Sequence, residues 1–149
     1  MEEEASVEVR VLKRGEESLL SNCADGVFDH AIIGKRAKEF VEDPRHHLAI
    51  AFDGDLIVGM ASAVHYVHPD KEPELWINEV GVAPAYHKRG VGKKLMAAIL
   101  DQGKELGCKE AWALTDRNNE ASNKLYSSAG GKADSQDTVM YTFFLNRDK

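Results

Sequence analysis

The segment from Glu74 to Leu106 constrains this chain most, because it joins a strand with a fault in its pattern to a glycine turn and then to a long amphipathic helix. Along Glu74-Leu75-Trp76-Ile77-Asn78-Glu79-Val80-Gly81-Val82, Leu75 and Ile77 share one parity and Val80 and Val82 the other. Side chains of a strand alternate between two faces, so apolar groups of both halves reach the core only if the pattern slips by one residue between Ile77 and Val80. A β-bulge makes such a slip, and a strand-interior glycine such as Gly81 often accompanies one. It would splay the strand from its neighbour and expose backbone N–H and C=O groups; the alternative is an ordinary buried strand with imperfect alternation. Pro84 marks the strand's end. Val91, Leu95, Ala98, Ile99, Gln102 and Leu106 then recur at three- and four-residue steps, and Gly107 stops the helix.

The flanking patterns complete the order. Val7, Val9 and Val11 alternate with polar Glu8 and Arg10 as in a half-buried strand, and apolar positions from Glu16 to about Phe40 predict two short helices around Gly26 and Gly34. His47 to Phe52 and Leu56 to Tyr66 flank Asp53-Gly54-Asp55, which predicts an antiparallel pair. Lys109 to Leu114 predicts a fifth strand, Asn119 to Ala129 a helix closed by Gly130-Gly131, and Val139 to Leu145 a last aromatic-rich strand. The order βααβββαβαβ implies an α/β fold with a mixed sheet and helices on both faces.

With 149 residues, 43% hydrophobic and 30% charged, the chain fits one domain, residues 1–149. Its longest apolar runs, Leu48 to Phe52 and Leu95 to Leu100, fall far short of the ~20 residues that cross a bilayer, so no membrane span is expected. Met1 precedes three glutamates, the reverse of a basic secretory start, which predicts a cytoplasmic protein. A net charge of −6 argues against a nucleic-acid partner and favours cationic ones. Cys23 and Cys108 have neither CxxC nor Cys/His spacing and read as small buried hydrophobes. His46-His47 are adjacent and point apart on a strand, and His65 and His68 straddle a strand end without carboxylate or cysteine partners, so no metal is expected. Trp76 and Trp112 read as core aromatics.

Against the acidic background, His87-Lys88-Arg89-Gly90-Val91-Gly92-Lys93-Lys94 is a basic glycine loop that opens the strongest helix. A helix N-terminus offers free N–H donors and a positive dipole end, and glycines let backbone approach phosphate oxygens, so the loop could cradle a pyrophosphate. It is not a Walker loop, which would need glycine at 87 and Ser or Thr at 94, nor a Rossmann fingerprint, since Leu95 stands where the third glycine belongs. The alternative is a surface turn that happens to be basic.

The motif His87-x-x-Gly90-x-Gly92 resembles the [Q/R]-x-x-G-x-[G/A] signature that follows a splayed strand in the GCN5-related N-acetyltransferase superfamily, with histidine in the Gln/Arg place. Asn119-x-x-Ser122-x-x-Leu125-Tyr126-x-x-x-Gly130 is similar to the family's N-x-x-[A/S]-x-x-L-Y-x-x-x-G-F, with Gly131 replacing the aromatic. The resemblance spans residues 48–145; residues 6–45 match only in layout. The Asn78 to Val82 strand and its preceding loop look most like single-domain aminoglycoside 3-N-acetyltransferases. The resemblance implies a splayed central strand, acetyl-CoA as co-substrate, and acetyl transfer to a primary amine of a small cationic acceptor such as an aminoglycoside. Protein or polyamine acetylation, or a non-catalytic coenzyme A-binding module, are the alternatives.

Coenzyme A would then lie over His87, Lys88, Arg89, Gly90, Val91, Gly92 and Lys93, held mainly by backbone amides. An ammonium has no lone pair, so direct attack on a thioester needs a base; Glu79 is the candidate, with partial burial raising its pKa. The alternative is an exposed strand-end carboxylate. Tyr126 sits at the family position of the acid that protonates the leaving thiolate; otherwise it is a core tyrosine. The Val80 N–H would polarise the thioester carbonyl, and Val82 would pair with the pantetheine amides. Asn119 contacts the cofactor or caps its helix. His30 and His65 could line the acceptor pocket, with Asp70, Glu72, Glu74, Asp134 and Asp137 as recruiters of a polycation. The last strand, apolar on both parities, allows a homodimer.

Overall fold

The computed structural model describes residues 6–134 and 138–146. Five strands lie in sequential order in one sheet: β1 (Glu8–Val11), β2 (His46–Asp53), β3 (Leu56–Tyr66), β4 (Glu74–Val82) and β5 (Ala111–Ala113). Neighbours are antiparallel up to β4, and β5 runs parallel to it, so the sheet is mixed. The helices are α1 (Gly34–Glu42), α2 (Val91–Glu105) and α3 (Glu120–Ser128), with 3₁₀ turns at Glu17–Ser21 and Pro84–Tyr86. Among the described residues no helix is long and apolar enough to cross a membrane.

Residues 48–51 and 57–63 are buried on both parities, which requires cover on both faces of the sheet. Small side chains let α2 lie close: a Cβ on Gly59 would stand 3.0 Å from Leu95 Cδ1, and one on Gly103 3.0 Å from Leu75 Cδ2. Leu95 and Ile99 are fully buried in that contact, which fixes α2 firmly along the sheet.

Three expectations change. The first predicted helix is only the 3₁₀ turn Glu17–Ser21, and residues 24–33 are irregular. Their path follows packing rather than helical spacing: Gly26 adopts φ +88, and a Cβ there would meet Pro84 Cδ at 2.8 Å. Trp112 is not a core residue; it is 40% exposed, with Trp76 edge-on at 5.8 Å and Tyr66 stacked at 6.4 Å. Residues 138–146 form no strand, and Val139, Met140, Tyr141, Phe143, Phe144 and Leu145 are 68–90% exposed. Fully burying one such aliphatic or Phe side chain is worth about 1.5–3 kcal/mol, which the single chain does not gain.

His47 is buried on β2, its Nε2 2.8 Å from Nδ1 of His65 on β3. Burial first, then the neighbouring His65 and His46, pull its pKa down to about 4. A depressed folded-state pKa means that below about pH 6.5 the unfolded chain binds a proton that the folded chain refuses until about pH 4. This contribution is therefore intact above pH 6.5 and lost as pH falls toward 4. Thermal melts should show Tm falling across that window, and His47→Leu should flatten the fall; an equally steep profile in the variant would refute the assignment.

Candidate active site

On β3, Ser62 faces Glu79 and Ala63 faces Ile77, so Asn78 is the extra residue of a bulge, within the interval where the parity slips. Pairing of β4 with β5 is confined to Leu75, Trp76 and Ile77. Beyond that point β4 stays paired with β3, Val80 opposite Ala61 and Val82 opposite Gly59, while its β5 side has no strand partner among the described residues. Val80 and Val82 thus lie where the strands part.

Gly81 is needed there for a reason the sequence did not show. A Cβ at this position would stand 2.1 Å from the Val27 carbonyl oxygen, so only glycine lets the irregular 24–33 segment seat on β4. That contact brings Asp29 and His30 to Glu79. Partial loss of water, then the hydrogen bond and charge of Asp29, push the Glu79 carboxyl above its usual range, with His30 acting the other way. Glu79 remains exposed by area, so its carboxyl is both perturbed and reachable.

The basic loop ends in Gly90, left-handed at φ 79 and ψ 8, as the N-cap of α2 without a side-chain cap. The Lys94 N–H donates to the Gly90 carbonyl at 3.1 Å, which leaves the amides of Val91, Gly92 and Lys93 ahead of the first helical hydrogen bond. Lys88 is also left-handed, at φ 61. An added Cβ on Gly90 would meet nothing within 4 Å, so the space beside the turn itself is open. Gly92 has another duty: its Cβ would lie 3.3 Å from Leu125 Cδ1, so it lets α3 dock on α2.

Two basic side chains turn back from the loop. The His87 Nε2 donates to the Val82 carbonyl at 2.7 Å, which ties loop to strand end, and the Arg89 guanidinium lies 5.1 Å from the Tyr86 ring centroid. Tyr86 donates to Asp53. On α3, Asn119 Oδ1 accepts from the Ser122 N–H at 3.0 Å, so of its two expected roles the structure forms the cap. Asn123, not singled out from sequence, donates to the Asn119 carbonyl at 2.7 Å and the Asp116 carbonyl at 3.0 Å, tying the preceding loop to the helix. Tyr126 is half-buried, which raises its phenol pKa.

A cleft of about 780 Å³ between the first 3₁₀ turn and α1 is lined by Glu17, Asp25, Phe28, Asp29, His30 and Ile32. Glu17 Oε1 is shielded from water and makes no hydrogen bond. Of the two histidines expected to line an acceptor pocket, His30 lines this cleft, and His65 lies with its Nδ1 2.8 Å from His47 Nε2. The expected recruiters Asp70, Glu72 and Asp134 are exposed and do not line this cleft, Glu74 pairs with His68 at 2.7 Å, and Asp137 lies outside the described residues.

A profile of the Acetyltransferase (GNAT) family matches residues 17–130. The aminoglycoside N(6′)-acetyltransferase type 1 of Salmonella typhimurium is 33% identical over 90 residues, covering 56% of this chain and 62% of its own length. The chain thus matches less than two thirds of that relative, which is named for the 6′ position where the sequence resemblance pointed to 3-N types. An aminoglycoside acetyltransferase from an uncultured soil metagenomic sample, solved with trehalose, superposes with a TM-score of 0.81 at 18% identity over 94% of this chain and 97% of that one. An AAC(6′)-Iy structure with a bisubstrate analog gives 0.75 at 20% identity over 93% and 99%. At these identities the two structures bear on fold alone.

Gly81→Ala should unfold at lower denaturant, by about 1–3 kcal/mol, because the Val27 carbonyl must move. The Glu79 titration followed by NMR should drop toward the ordinary carboxylate range as Asp29 withdraws; an unmoved titration would break the link between the contact and the site.

Proposed function

The chain belongs to the acetyltransferase (GNAT) family, and from that premise we propose that it transfers an acetyl group from acetyl-CoA to a primary amine of an aminoglycoside-like polycation within a ternary complex. The observation that carries this reading is the parting of β4 from β5 after Ile77, ahead of an α2 N-terminus whose first amides precede the helical hydrogen bonds and carry no side-chain cap. An unpaired strand edge suits the amide-bearing pantetheine arm, and the amides of Val91, Gly92 and Lys93 suit a pyrophosphate. Acetyl-CoA supplies the activated thioester.

The chain's residues then divide the work. Lys88, Arg89 and Gly90 shape the turn, and Val91, Gly92 and Lys93 anchor the phosphates. The Val80 N–H polarises the carbonyl as negative charge develops on its oxygen. Glu79 takes the proton of the attacking amine, directly or through one water, with a pKa raised toward the working range. Tyr126, kept protonated by burial, donates to the departing sulfur. Val82 holds the pantetheine arm in register, with His87 securing its carbonyl. For the acceptor, Glu17, Asp25 and Asp29 line the cleft of a chain with net charge −6, and the unpartnered Glu17 Oε1 suits an ammonium. The 6′ amine, named in the Salmonella relative, is the assigned position.

A kanamycin- or gentamicin-type amine with acetyl-CoA should release free thiol, with a KM that rises from low to moderate ionic strength. Release only with a peptide or a small polyamine would overturn the acceptor and leave acetyl transfer standing. Glu79→Gln should lose most turnover at low pH, where few acceptor amines are already neutral, and recover part of it as pH rises; a pH-independent deficit assigns Glu79 to acceptor binding instead. Gly90→Val forces a β-branched residue to φ +79, a strain of about 1–2 kcal/mol, and should weaken acetyl-CoA about tenfold. Unchanged affinity by calorimetry would remove the loop from the donor site.

A further inference from the structure

Ser62 is the one polar side chain in the buried run Ile57 to Ala63 of β3; it is 8% exposed, and its Oγ is shielded from water and makes no hydrogen bond. A hydroxyl buried in this way forfeits the bonds it made to water in the unfolded chain, so alanine would serve better there unless a partner comes to it. Residues paired across antiparallel strands project to the same face, and Ser62 is paired with Glu79. Met60 identifies that face: its Cε lies 3.6 Å from where a Cβ on Gly81 would stand, beside the Val27 carbonyl. Ser62 and Glu79 thus adjoin on the face that residues 24–33 cover, the hydroxyl buried at the floor and the carboxyl exposed above it.

We infer that Ser62 is a positioning residue for Glu79, its hydroxyl donating to the Glu79 carboxylate once that group has lost its proton. The hydrogen bond between Glu79 and Asp29 joins two carboxyls, which can share one only while either keeps a proton. When that proton leaves, Asp29 offers no donor and repels, and the Glu79 carboxylate needs a donor elsewhere. Ser62 Oγ is an unpartnered donor directly across the strand pair. His30 also faces Glu79, from the same segment as Asp29. Beyond Ser62 on β2 stands apolar Leu48, and His46, the next residue on that face, lies 3.6 Å from Asp43. Glu79 therefore has two seats, beside Asp29 when protonated and on Ser62 when ionised. The second seat holds the carboxylate against the rigid centre of the sheet in the state that accepts a proton. Its use in turnover rests on Glu79 being the base of the proposed transfer, whereas the contact itself can be read without any turnover.

An NMR titration of Glu79 in the full chain, without substrates, should give a midpoint about half a pH unit higher in Ser62→Ala than in the parent, because the ionised form has lost a donor. Ser62→Thr keeps the hydroxyl and should keep the parent's midpoint. In the thiol-release assay the acid limb of the kcat/KM profile should move by the same interval in Ser62→Ala, with turnover restored at high pH. A midpoint that stays in place in Ser62→Ala, or moves as far in Ser62→Thr, overturns the inference and leaves a buried hydroxyl whose removal acts on stability alone. A midpoint that rises while the acid limb stays fixed keeps the contact and removes Glu79 as the base, so the two readings fail separately.

Discussion

Asn78 has no partner opposite it on β3, and the pairing of β4 with β5 ends immediately before it, at Ile77. Inside a sheet each strand residue offers a donor and an acceptor that must be satisfied, so a gap between two strands leaves backbone groups that only water or a ligand can meet. The gap is held by asymmetry. On its other side β4 remains paired with β3 through Val82, and β3 in turn rests on β2 and α2. One side of the strand is as rigid as the core, and the other is available.

The glycines around this gap serve distinct constraints. Gly81 removes a side chain where the Val27 carbonyl must pass, Gly90 supplies a left-handed turn beneath open space, and Gly92 makes room for Leu125 of α3. Exchanging their roles would fail: Gly92 lies in a helix where an alanine would be conformationally welcome but would press on Leu125, whereas Gly90 has room for a Cβ but not the backbone for one. A motif written G-x-G thus records one conformational and one packing requirement side by side.

What the sequence made legible was local. β4 has its predicted bounds, Glu74–Val82, and α2 its predicted start at Val91, because period and punctuation are properties of neighbouring residues. The slip in parity likewise located the bulge. Legibility failed where distant residues decide. The path of residues 24–33 is set by contacts of Val27 with Gly81 and of Gly26 with Pro84, distant in the sequence, and it is that path which brings Asp29 to Glu79. The His47 and His65 pair joins residues on two strands that nothing in a histidine count connects. The final segment has the pattern of a strand, but a pattern states only what a segment would be beside a suitable neighbour, and among the described residues it pairs with no strand.

The same long-range contact gives the site an internal logic. Asp29 and Glu79 are two carboxyls brought together by packing, and burial first, then the hydrogen bond and charge of Asp29, raise the proton affinity of Glu79. In the proposed reaction an approaching ammonium would oppose that shift, because a positive charge beside Glu79 favours its ionised form. As the proposed base, Glu79 would thus be driven toward its proton-accepting state by the arrival of the amine that gives the proton. Gly81 stands behind this coupling, since with any other residue there the Val27 carbonyl could not approach β4 and Asp29 would lose its place beside Glu79.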